Sequence, residues 1–471
     1  MTALNSPQLI NNAEAALTAL NNSQDEGVRY YTAWWLGKNR ILEAVPLLCE
    51  CLKDERDRTA LGGYPLRRQA ARSLGMLQDS QAVTALIDAL DCSDLRLQEA
   101  VVRALKDIGD RVAVPVLLKL LNSQAKDKPT EILIEALTAF QVWEVKDQIE
   151  PFLKHSSERV KCAAAQYFYS LTLEPRYLQI LFETLGHENR FLRYAAALDI
   201  SALGLVETAP AIIKAQIPNN IKLATIKRIL EVLLQDKTKI EVKRQEQENF
   251  LFQIIDELLF DAIEGNNPRE NTVESNQEVE KIMILVAQQE RRYQQVSDNL
   301  ISELIEAVKS PYPKVKAAGI QGLVTLAPTS VDSIMEIFDI DGDQDLRAGL
   351  TQALMEIGDP RTLSLLEKVI GFEIADHCQG KIRRVAARAL GKIGRKACAP
   401  RVILRVIKKL EWTLFQPDDW ALRYSAVVSL EEIGNRDAVL ALQAAYQVES
   451  DAIVKMRNKR ALSALSDMAA L

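Results

Sequence analysis

The sequence predicts an all-α solenoid, a stack of helical hairpins in which each hairpin buries its apolar face against its neighbours. Three observations indicate this fold class: a segment that recurs every 29 to 32 residues over most of the chain, apolar residues at helical spacing within it, and prolines at a fixed place in the repeat. A repeat array also accounts for the length, because 471 residues are too many for one compact core.

The recurring segment is clearest in LRRQAARSLGML, which begins at Leu66, and in IRRVAARALGKI, which begins at Ile382. Its template is apolar, basic, two variable, two small, two variable and Leu, followed three residues on by Ile or Leu. Matching segments begin at Val28, Leu66, Leu97, Pro129, Val160, Leu192, Ile221, Val315, Leu346, Ile382, Leu422 and Val454. Each is predicted to form the first helix of a hairpin, helix A.

Prolines locate the second helix of the hairpin, helix B. Four of them lie 18 residues after the first position of their repeat: Pro46, Pro115, Pro210 and Pro400. Proline is tolerated in the first turn of a helix and breaks a helix interior. Each repeat is therefore predicted to be helix A, a short turn and helix B, the arrangement of HEAT-like repeats, which stack into a curved superhelix.

The longest interval between clear repeats, from Ile221 to Val315, is 94 residues, close to three periods. Weak matches at Leu251 and Met283 divide this interval into steps close to one repeat length. We therefore expect about 12–14 hairpins in all.

The pattern is least regular over 236–300, which includes a polar loop at 264–277 rich in Asn and Glu. We interpret this segment as a hinge. The predicted organisation is an N-terminal array over 1–235, the irregular helical segment over 236–300, and a C-terminal array over 301–471.

Composition excludes several classes of partner. The formal net charge of −6 gives no basic field for nucleic acid or an anionic membrane. No apolar run approaches the ~18 residues of a membrane span, and the N-terminus lacks the features of a signal peptide, so we expect a cytoplasmic protein without stable membrane insertion. Six cysteines and three histidines, without shared ligand spacing, predict neither a disulfide framework nor a metal site.

Three connections between a helix B and the next helix A are longer than the others: 53–65, 371–381 and 411–420. All such connections emerge on one edge of a solenoid, and insertions in repeats often mark the binding face. The alternative is that these are solvated loops whose charges cap neighbouring helices.

The first loop contains Asp57, Arg58 and Tyr64 and leads directly into Arg67 and Arg68. Carboxylate, guanidinium and aromatic groups together suit a flat ligand with several charges. The arginine at the second template position recurs throughout the chain, so we expect it to bridge to a loop carboxylate of an adjacent repeat. Arg68, one position further on, is not explained by the repeat.

The other two loops carry similar groups. The second contains Asp376 and His377 and leads into Arg384, which is again one position beyond the recurring arginine. The third contains aromatic and acidic residues, namely Trp412, Phe415, Asp418, Asp419 and Trp420.

The first repeat has an unusual helix A, VRYYTAWWLGKNR, over 28–40. Alignment with the template assigns four residues to buried positions: Val28, Thr32, Ala33 and Leu36. The aromatic residues take positions that are polar or small in most other repeats: Tyr30, Tyr31, Trp34 and Trp35. Either a helix near residues 7–21 caps these rings or the rings contact a ligand or partner, and the two are compatible.

RYYTAWWLGK (29–38), followed by DRTALGGYPLRRQAARSLG (57–75), resembles the N-terminal region of the E-type subunits of E/F-type phycobilin lyases. These cyanobacterial HEAT-like proteins attach open-chain tetrapyrroles to phycobiliproteins. The close match spans about 25–125, and generic HEAT repeats carry neither motif. The length resembles that of the longer members, which act on phycoerythrin α subunits with phycoerythrobilin.

This resemblance implies a lyase that joins a phycobilin through a thioether bond to a cysteine of a phycobiliprotein α subunit. The bilin is then the substrate, no other cofactor is implied, and an F-type subunit is the expected partner in a heterodimer. The implied mechanism is positioning of bilin and acceptor thiol, with Asp57 or His377 as candidates for proton transfer.

The residues that the resemblance assigns to bilin binding are Tyr30, Tyr31, Trp34, Trp35, Asp57, Arg58, Tyr64, Arg67 and Arg68. In this scheme the rings stack on the conjugated system, Asp57 accepts from pyrrole N–H groups, and arginines bind the two propionates. Two other functions are compatible with the sequence: a non-catalytic scaffold or chaperone for phycobiliprotein subunits, and a generic HEAT-repeat adaptor. Within the lyase function, the protein could also act on bilin that is already attached, by isomerising or detaching it.

Overall fold

The computed structural model describes residues 12–124, 127–235, 241–260, 272–292, 298–340, 342–371, 380–416 and 419–469. All regular secondary structure in these ranges is helical, which confirms the predicted fold class. Packing divides the chain into two compact units. Unit 1 ends at Leu203, and unit 2 begins at Gly204. No helix in these ranges is long and apolar enough to cross a bilayer. The three-part organisation with boundaries near 235 and 300 stays a prediction.

Unit 1 contains twelve α-helices among its described residues. They are α1 (Ala13–Asn22), α2 (Glu26–Lys38), α3 (Val45–Cys51), α4 (Pro65–Leu77), α5 (Val83–Asp88), α6 (Leu95–Ile108), α7 (Val114–Leu121), α8 (Thr130–Ala139), α9 (Lys146–Ile149), α10 (Glu158–Thr172), α11 (Pro175–Leu185) and α12 (Arg190–Ala202). Even-numbered helices are A helices and the odd-numbered ones that follow them are B helices.

Unit 2 continues the alternation through the part of the chain that the structure describes. Its helices are α13 (Ala209–Lys214), α14 (Asn219–Gln235), α15 (Glu241–Phe260), α16 (Val273–Arg292), α17 (Asp298–Lys309), α18 (Pro313–Thr325), α19 (Thr329–Ile340), α20 (Gln344–Ile357), α21 (Leu363–Ile370), α22 (Gly380–Lys396), α23 (Pro400–Leu414), α24 (Trp420–Ile433), α25 (Arg436–Val448) and α26 (Ala452–Ala469). Among the described residues, α2 to α25 are twelve successive pairs of an A helix and a B helix in the sequence, within the predicted range.

Among the described residues of the long interval there is one additional hairpin, α16 with α17, and not the two that the spacing predicted. Leu251 lies inside the B helix α15, and Met283, placed at a normally buried template position, is 65% exposed in α16. The reason is helix length: α15 and α16 have 20 residues each, so the two hairpins that contain them, α14 with α15 and α16 with α17, span the interval that ordinary spacing assigns to three.

Neighbouring A helices approach closely through a glycine of one and a small residue of the next. A Cβ atom on Gly37 of α2 would lie 2.6 Å from the Cβ of Ser73 in α4, and Ser73 Oγ donates to a backbone carbonyl of α2 at 2.7 Å. The same contact recurs in unit 2, where a Cβ on Gly391 of α22 would lie 2.6 Å from the Cβ of Ser429 in α24. The small residues of the template therefore set a short spacing between A helices.

Helix α15 packs against the A helices of unit 2. Its Phe252 stacks on the ring of Tyr424 in α24, with ring centres 6.3 Å apart. The hydroxyl of Tyr424, which is fully buried, donates to Asp256 Oδ1 of α15 at 2.8 Å. Burial raises the pKa of Asp256 and that of Tyr424.

Replacing Tyr424 with phenylalanine is expected to lower the free energy of unfolding of unit 2 by about 1–3 kcal/mol, because it leaves the half-buried Asp256 without its hydroxyl donor. Tyr446→Phe is the matched control, since that side chain is only half-buried. Denaturant titration of both variants checks the prediction. Equal midpoints for the two variants would contradict it.

Candidate functional site

Helix α2 begins at an Asp25 cap and presents its rings away from the core. Asp25 Oδ1 accepts from the N–H of Val28 at 2.9 Å. Of the four aligned core positions, Thr32, Ala33 and Leu36 are fully buried, whereas Val28 in the first turn is only half-buried. The rings lie on the opposite side of the helix: Tyr30 and Tyr31 are 38% and 46% exposed, and Trp34 and Trp35 are half-buried.

Two of these rings form a pair. Tyr31 and Trp34 have ring centres 5.3 Å apart at an angle of 38°, and Lys38 Nζ lies 4.9 Å from the centre of the Trp34 ring. Helix α1 packs against α2 through the buried Ala16 and Leu20. The first hairpin is therefore capped, and Tyr30 and Tyr31 nevertheless remain exposed.

The recurring arginine of the first repeat, Arg29, is held by a carboxylate of the loop that follows its own hairpin, and not by one of an adjacent repeat. Arg29 Nη1 lies 2.5 Å from Asp54 Oδ2, and Arg56 Nη2 lies 2.6 Å from the same oxygen. Hydrogen bonds from Arg56 and Arg29 hold the pKa of Asp54 well below its usual range, despite partial burial. Asp54 therefore anchors the start of the loop to α2 and stays ionised.

The next part of the loop is a tight turn. Gly62 has φ +79°, a conformation that favours glycine, and its N–H donates to Thr59 O at 2.8 Å. Gly63 N–H donates to the hydroxyl of Thr59 at 3.0 Å. A Cβ atom on Gly63 would lie 2.2 Å from Arg68 Nη2. The Gly-Gly pair thus lets the backbone pass directly beside the Arg68 guanidinium.

Arg68 is explained by an acidic partner in the following repeat. Its Nε and Nη2 donate to the two carboxylate oxygens of Asp94, each at 2.8 Å. Asp94 also accepts hydrogen bonds from the N–H groups of Tyr64 and Leu97. It therefore caps α6 and at the same time holds the end of the loop in place. Burial opposes ionisation of Asp94, but these hydrogen bonds outweigh it and lower the pKa of the carboxyl.

Unit 2 contains the same device. Arg384 Nε and Nη2 donate to the two oxygens of Asp419, each at 3.1 Å, and Asp419 caps α24. Sequence reasoning missed both carboxylates as partners, although an aspartate immediately before an apolar helical pattern is a cap signal.

Asp57, Arg58, Tyr64 and Arg67 are brought together in the loop. The Arg67 guanidinium lies 4.8 Å from the centre of the Tyr64 ring, and the exposed Arg58 lies 5.9 Å from it. Asp57 Oδ2 accepts from the N–H of Leu66 at 2.5 Å. Two buried polar atoms, Asp57 Oδ1 and Arg67 Nε, have no hydrogen-bond partner among the described residues. The loop thus keeps unused hydrogen-bonding capacity beside an aromatic ring.

The two other long loops lie in unit 2 and are only partly described. Asp376, His377 and Asp418 lie outside the described residues. Trp412 and Phe415 are exposed, and Lys409 Nζ lies 4.3 Å from the centre of the Trp412 ring. Asp419 pairs with Arg384 and caps α24.

The described part of the chain contains two buried cysteines, Cys51 and Cys162, two half-buried ones, Cys49 and Cys92, and the exposed Cys398. No group of three His, Cys, Asp or Glu side chains there could hold a metal ion. Among the cysteines described, burial raises the pKa of Cys49, Cys92 and Cys162 above its ordinary value and that of Cys51 to about 11. Thiols in this state are poor nucleophiles.

Family comparisons agree with the repeat structure. HEAT repeats match residues 64–138 and 372–466, and the PBS lyase HEAT-like repeat matches residues 28–54.

Three curated relatives are informative. "Bilin biosynthesis protein PecE" of Mastigocladus laminosus is 51% identical over 268 residues, covering 55% of this chain and 99% of the relative. "Phycocyanobilin lyase subunit alpha" of Nostoc sp. is 43% identical over 49% of this chain and 87% of the relative. "Bilin biosynthesis protein PecF" of Nostoc sp. is 41% identical over 168 residues, covering 36% of this chain and 97% of the relative.

Proposed function

The chain belongs to the E/F-type phycobilin lyase family and is a bilin lyase; we propose that its substrate is phycoerythrobilin and its acceptor a cysteine of a phycobiliprotein α subunit. The observation that supports bilin binding is the ring surface of α2, exposed or half-buried where the repeat itself needs only polar or small residues. The choice of phycoerythrobilin and of an α subunit rests on the resemblance in length to the longer members of the family. A bilin is a long conjugated molecule with polar edges, which such a surface would bind by stacking.

The rings and the loop have different roles in this proposal. Tyr30, Tyr31, Trp34 and Trp35 provide the stacking surface. Asp57 accepts from pyrrole N–H groups through Oδ1, the oxygen without a partner among the described residues, after a small movement of the loop.

The remaining loop residues complete the bilin contact. Arg58 is exposed and has no acidic partner among the described residues, so its guanidinium is available to a carbonyl or carboxylate oxygen of the bilin. Tyr64 offers a further ring. Arg67 and Arg68 hold this loop in position, since Arg67 stacks on Tyr64 and Arg68 is paired with Asp94.

The chemistry requires positioning and no nucleophile from the lyase. The acceptor thiol adds across an exocyclic double bond of the bilin: sulfur bonds to one carbon, and the proton of the thiol ends on the other end of that conjugated unit. No oxidant or reductant is consumed. Holding both reactants in one geometry provides the rate and the stereochemistry. Asp57 and His377 are the candidates that assist the proton transfer.

The partner of an E-type subunit in this family is an F-type subunit, and this chain matches both types. The matches cover 99% of the E-type relative, over 268 residues, and 97% of the F-type relative, over 168 residues. We propose that this chain supplies an F-type contribution of its own, so that a separate F-type subunit adds to attachment but is not required for it.

Co-expression in a host without phycobiliproteins tests these proposals. The chain is produced with a phycoerythrin α subunit and the enzymes of phycoerythrobilin synthesis, with and without a separate F-type subunit. We expect coloured acceptor in both cases, and peptide mapping then identifies the modified cysteine. Colour only with the added F-type subunit would contradict the proposal about this chain's own contribution. An acceptor that stays colourless in both cases, with no absorbance shift when phycoerythrobilin is added to the purified chain, would favour the scaffold function.

A further inference from the structure

Three consecutive A helices of unit 1 place functional side chains at the same repeat position. This position, six residues after the first apolar residue of the repeat, holds Trp34 in α2, Arg72 in α4 and Arg103 in α6. Equivalent positions on stacked helices form a row across the array. We call these three side chains the Trp-Arg-Arg row.

Both arginines of the row are available. Arg72 and Arg103 are exposed, and neither guanidinium makes an ion pair or hydrogen bond with any residue that the structure describes. In the next A helix the same position holds Glu135, whose carboxylate pairs with Lys106 at 3.2 Å. The cationic part of the row is therefore limited to two neighbouring arginines beside one tryptophan.

The spacing of the row follows from the close contacts between A helices. The α2–α4 approach is set by Gly37 and Ser73, and in α4–α6 a Cβ atom on Gly75 would lie 3.0 Å from Ala104 Cα. Such contacts bring helix axes to the short end of the usual range of about 8–10 Å. The two guanidiniums thus start one helix spacing apart, with the tryptophan one spacing further along.

In unit 2 the same repeat position is covered by helix α15. There it holds Arg388 in α22 and Arg460 in α26, and both guanidiniums lie on rings of α15. Arg388 is 5.0 Å from the centre of Phe260, and Arg460 is 4.7 Å from that of Phe252. Arginines at this position can therefore hold planar groups against the A helices.

We propose that Arg72 and Arg103 bind the two propionates of the bilin while Trp34 stacks on its conjugated system. The propionates of an open-chain tetrapyrrole project from its two central rings on flexible arms, which suits two cations one helix spacing apart. Planar guanidinium groups bind carboxylates through paired hydrogen bonds. This inference rests on the proposed function and assigns to Arg72 and Arg103 the role that the resemblance gave to loop arginines.

The test measures binding of phycoerythrobilin to the purified chain by absorbance titration, without acceptor. Arg72→Gln and Arg103→Gln are each expected to weaken binding on the order of 10-fold, and the double variant further, because each removes a charged hydrogen-bond donor. The lysine variants at both positions should recover part of the affinity. Arg436→Gln, which removes an exposed arginine of α25 in unit 2, is the matched control and should bind normally.

A second probe isolates the propionates: phycoerythrobilin with both carboxylates methylated. The ester should bind the wild-type chain more weakly than the free acid, and the double variant should not weaken ester binding further. If the wild-type chain binds the free acid and the double variant binds it equally well, the propionate assignment is wrong although the proposed function stands. If the double variant binds bilin normally but loses attachment, the arginines contact the acceptor, which also overturns the assignment. Absence of bilin binding by the wild-type chain would overturn the proposed function itself.

Discussion

Replacing Trp34 with alanine is expected to weaken bilin binding and slow attachment by about 10-fold or more, while the chain keeps its helical content and unfolding midpoint. Trp34 is half-buried, pairs with Tyr31 and lies at one end of the Trp-Arg-Arg row. Its removal takes away a large stacking surface without opening the core, because the core positions of α2 are occupied by other residues.

The measurement is absorbance titration with phycoerythrobilin together with the rate of coloured-acceptor formation. Phe191→Ala is the matched control, since that ring is 64% exposed in α12 of the same unit. Trp35→Ala should also reduce attachment, as the second tryptophan of the proposed stacking surface. Normal attachment by both tryptophan variants would show that α2 does not bind the bilin.

The exposure of the α2 rings was predictable because the repeat supplies its own reference. Once the template was aligned, Thr32, Ala33 and Leu36 had to face the core, and the rings could only lie elsewhere. The structure confirms burial of Thr32, Ala33 and Leu36, whereas Val28, the fourth predicted core residue, is only half-buried at the start of the helix. Helical periodicity thus predicts burial well wherever a helix packs in the standard way.

The pairing of Arg68 with Asp94 could not be predicted in the same way. The two residues belong to different repeats, and their contact depends on how one hairpin stacks on the next. Periodicity within a repeat carries no information on that stacking. Arg384 and Asp419 repeat the contact in unit 2, which shows that it supports the turn into helix A in both places.

Helix α15 shows a second limit of the template. Its buried residues include Leu251, Phe252, Ile254, Ile255 and Leu259, which cover more than one side of the helix. The reason is that α15 packs against α14, its partner in the hairpin, and also against α22. A helix buried on two sides has no single apolar stripe, so the spacing rule placed the start of a repeat inside it.

Gly37→Ala is expected to lower the free energy of unfolding of unit 1 by about 2 kcal/mol, although alanine favours helix formation over glycine. The added Cβ would lie 2.6 Å from Ser73 Cβ and 2.7 Å from Ser73 Cα, so α2 and α4 would have to move apart. The same substitution at Gly27, in the first turn of the same helix, meets only a side-chain oxygen of Asp25 at 3.2 Å. Gly27→Ala should therefore be neutral or stabilising by up to about 1 kcal/mol.

Denaturant titration of the two alanine variants checks this opposite behaviour, and an equal effect would show that the glycine contact does not set the helix spacing. The pair also connects stability to function. Because Trp34 and Arg72 lie on the two helices that Gly37 brings together, Gly37→Ala should weaken bilin binding under conditions where the variant is still fully folded. Gly27→Ala leaves that spacing unchanged and should bind bilin as the wild-type chain does, since the helix contact at Gly37 is intact.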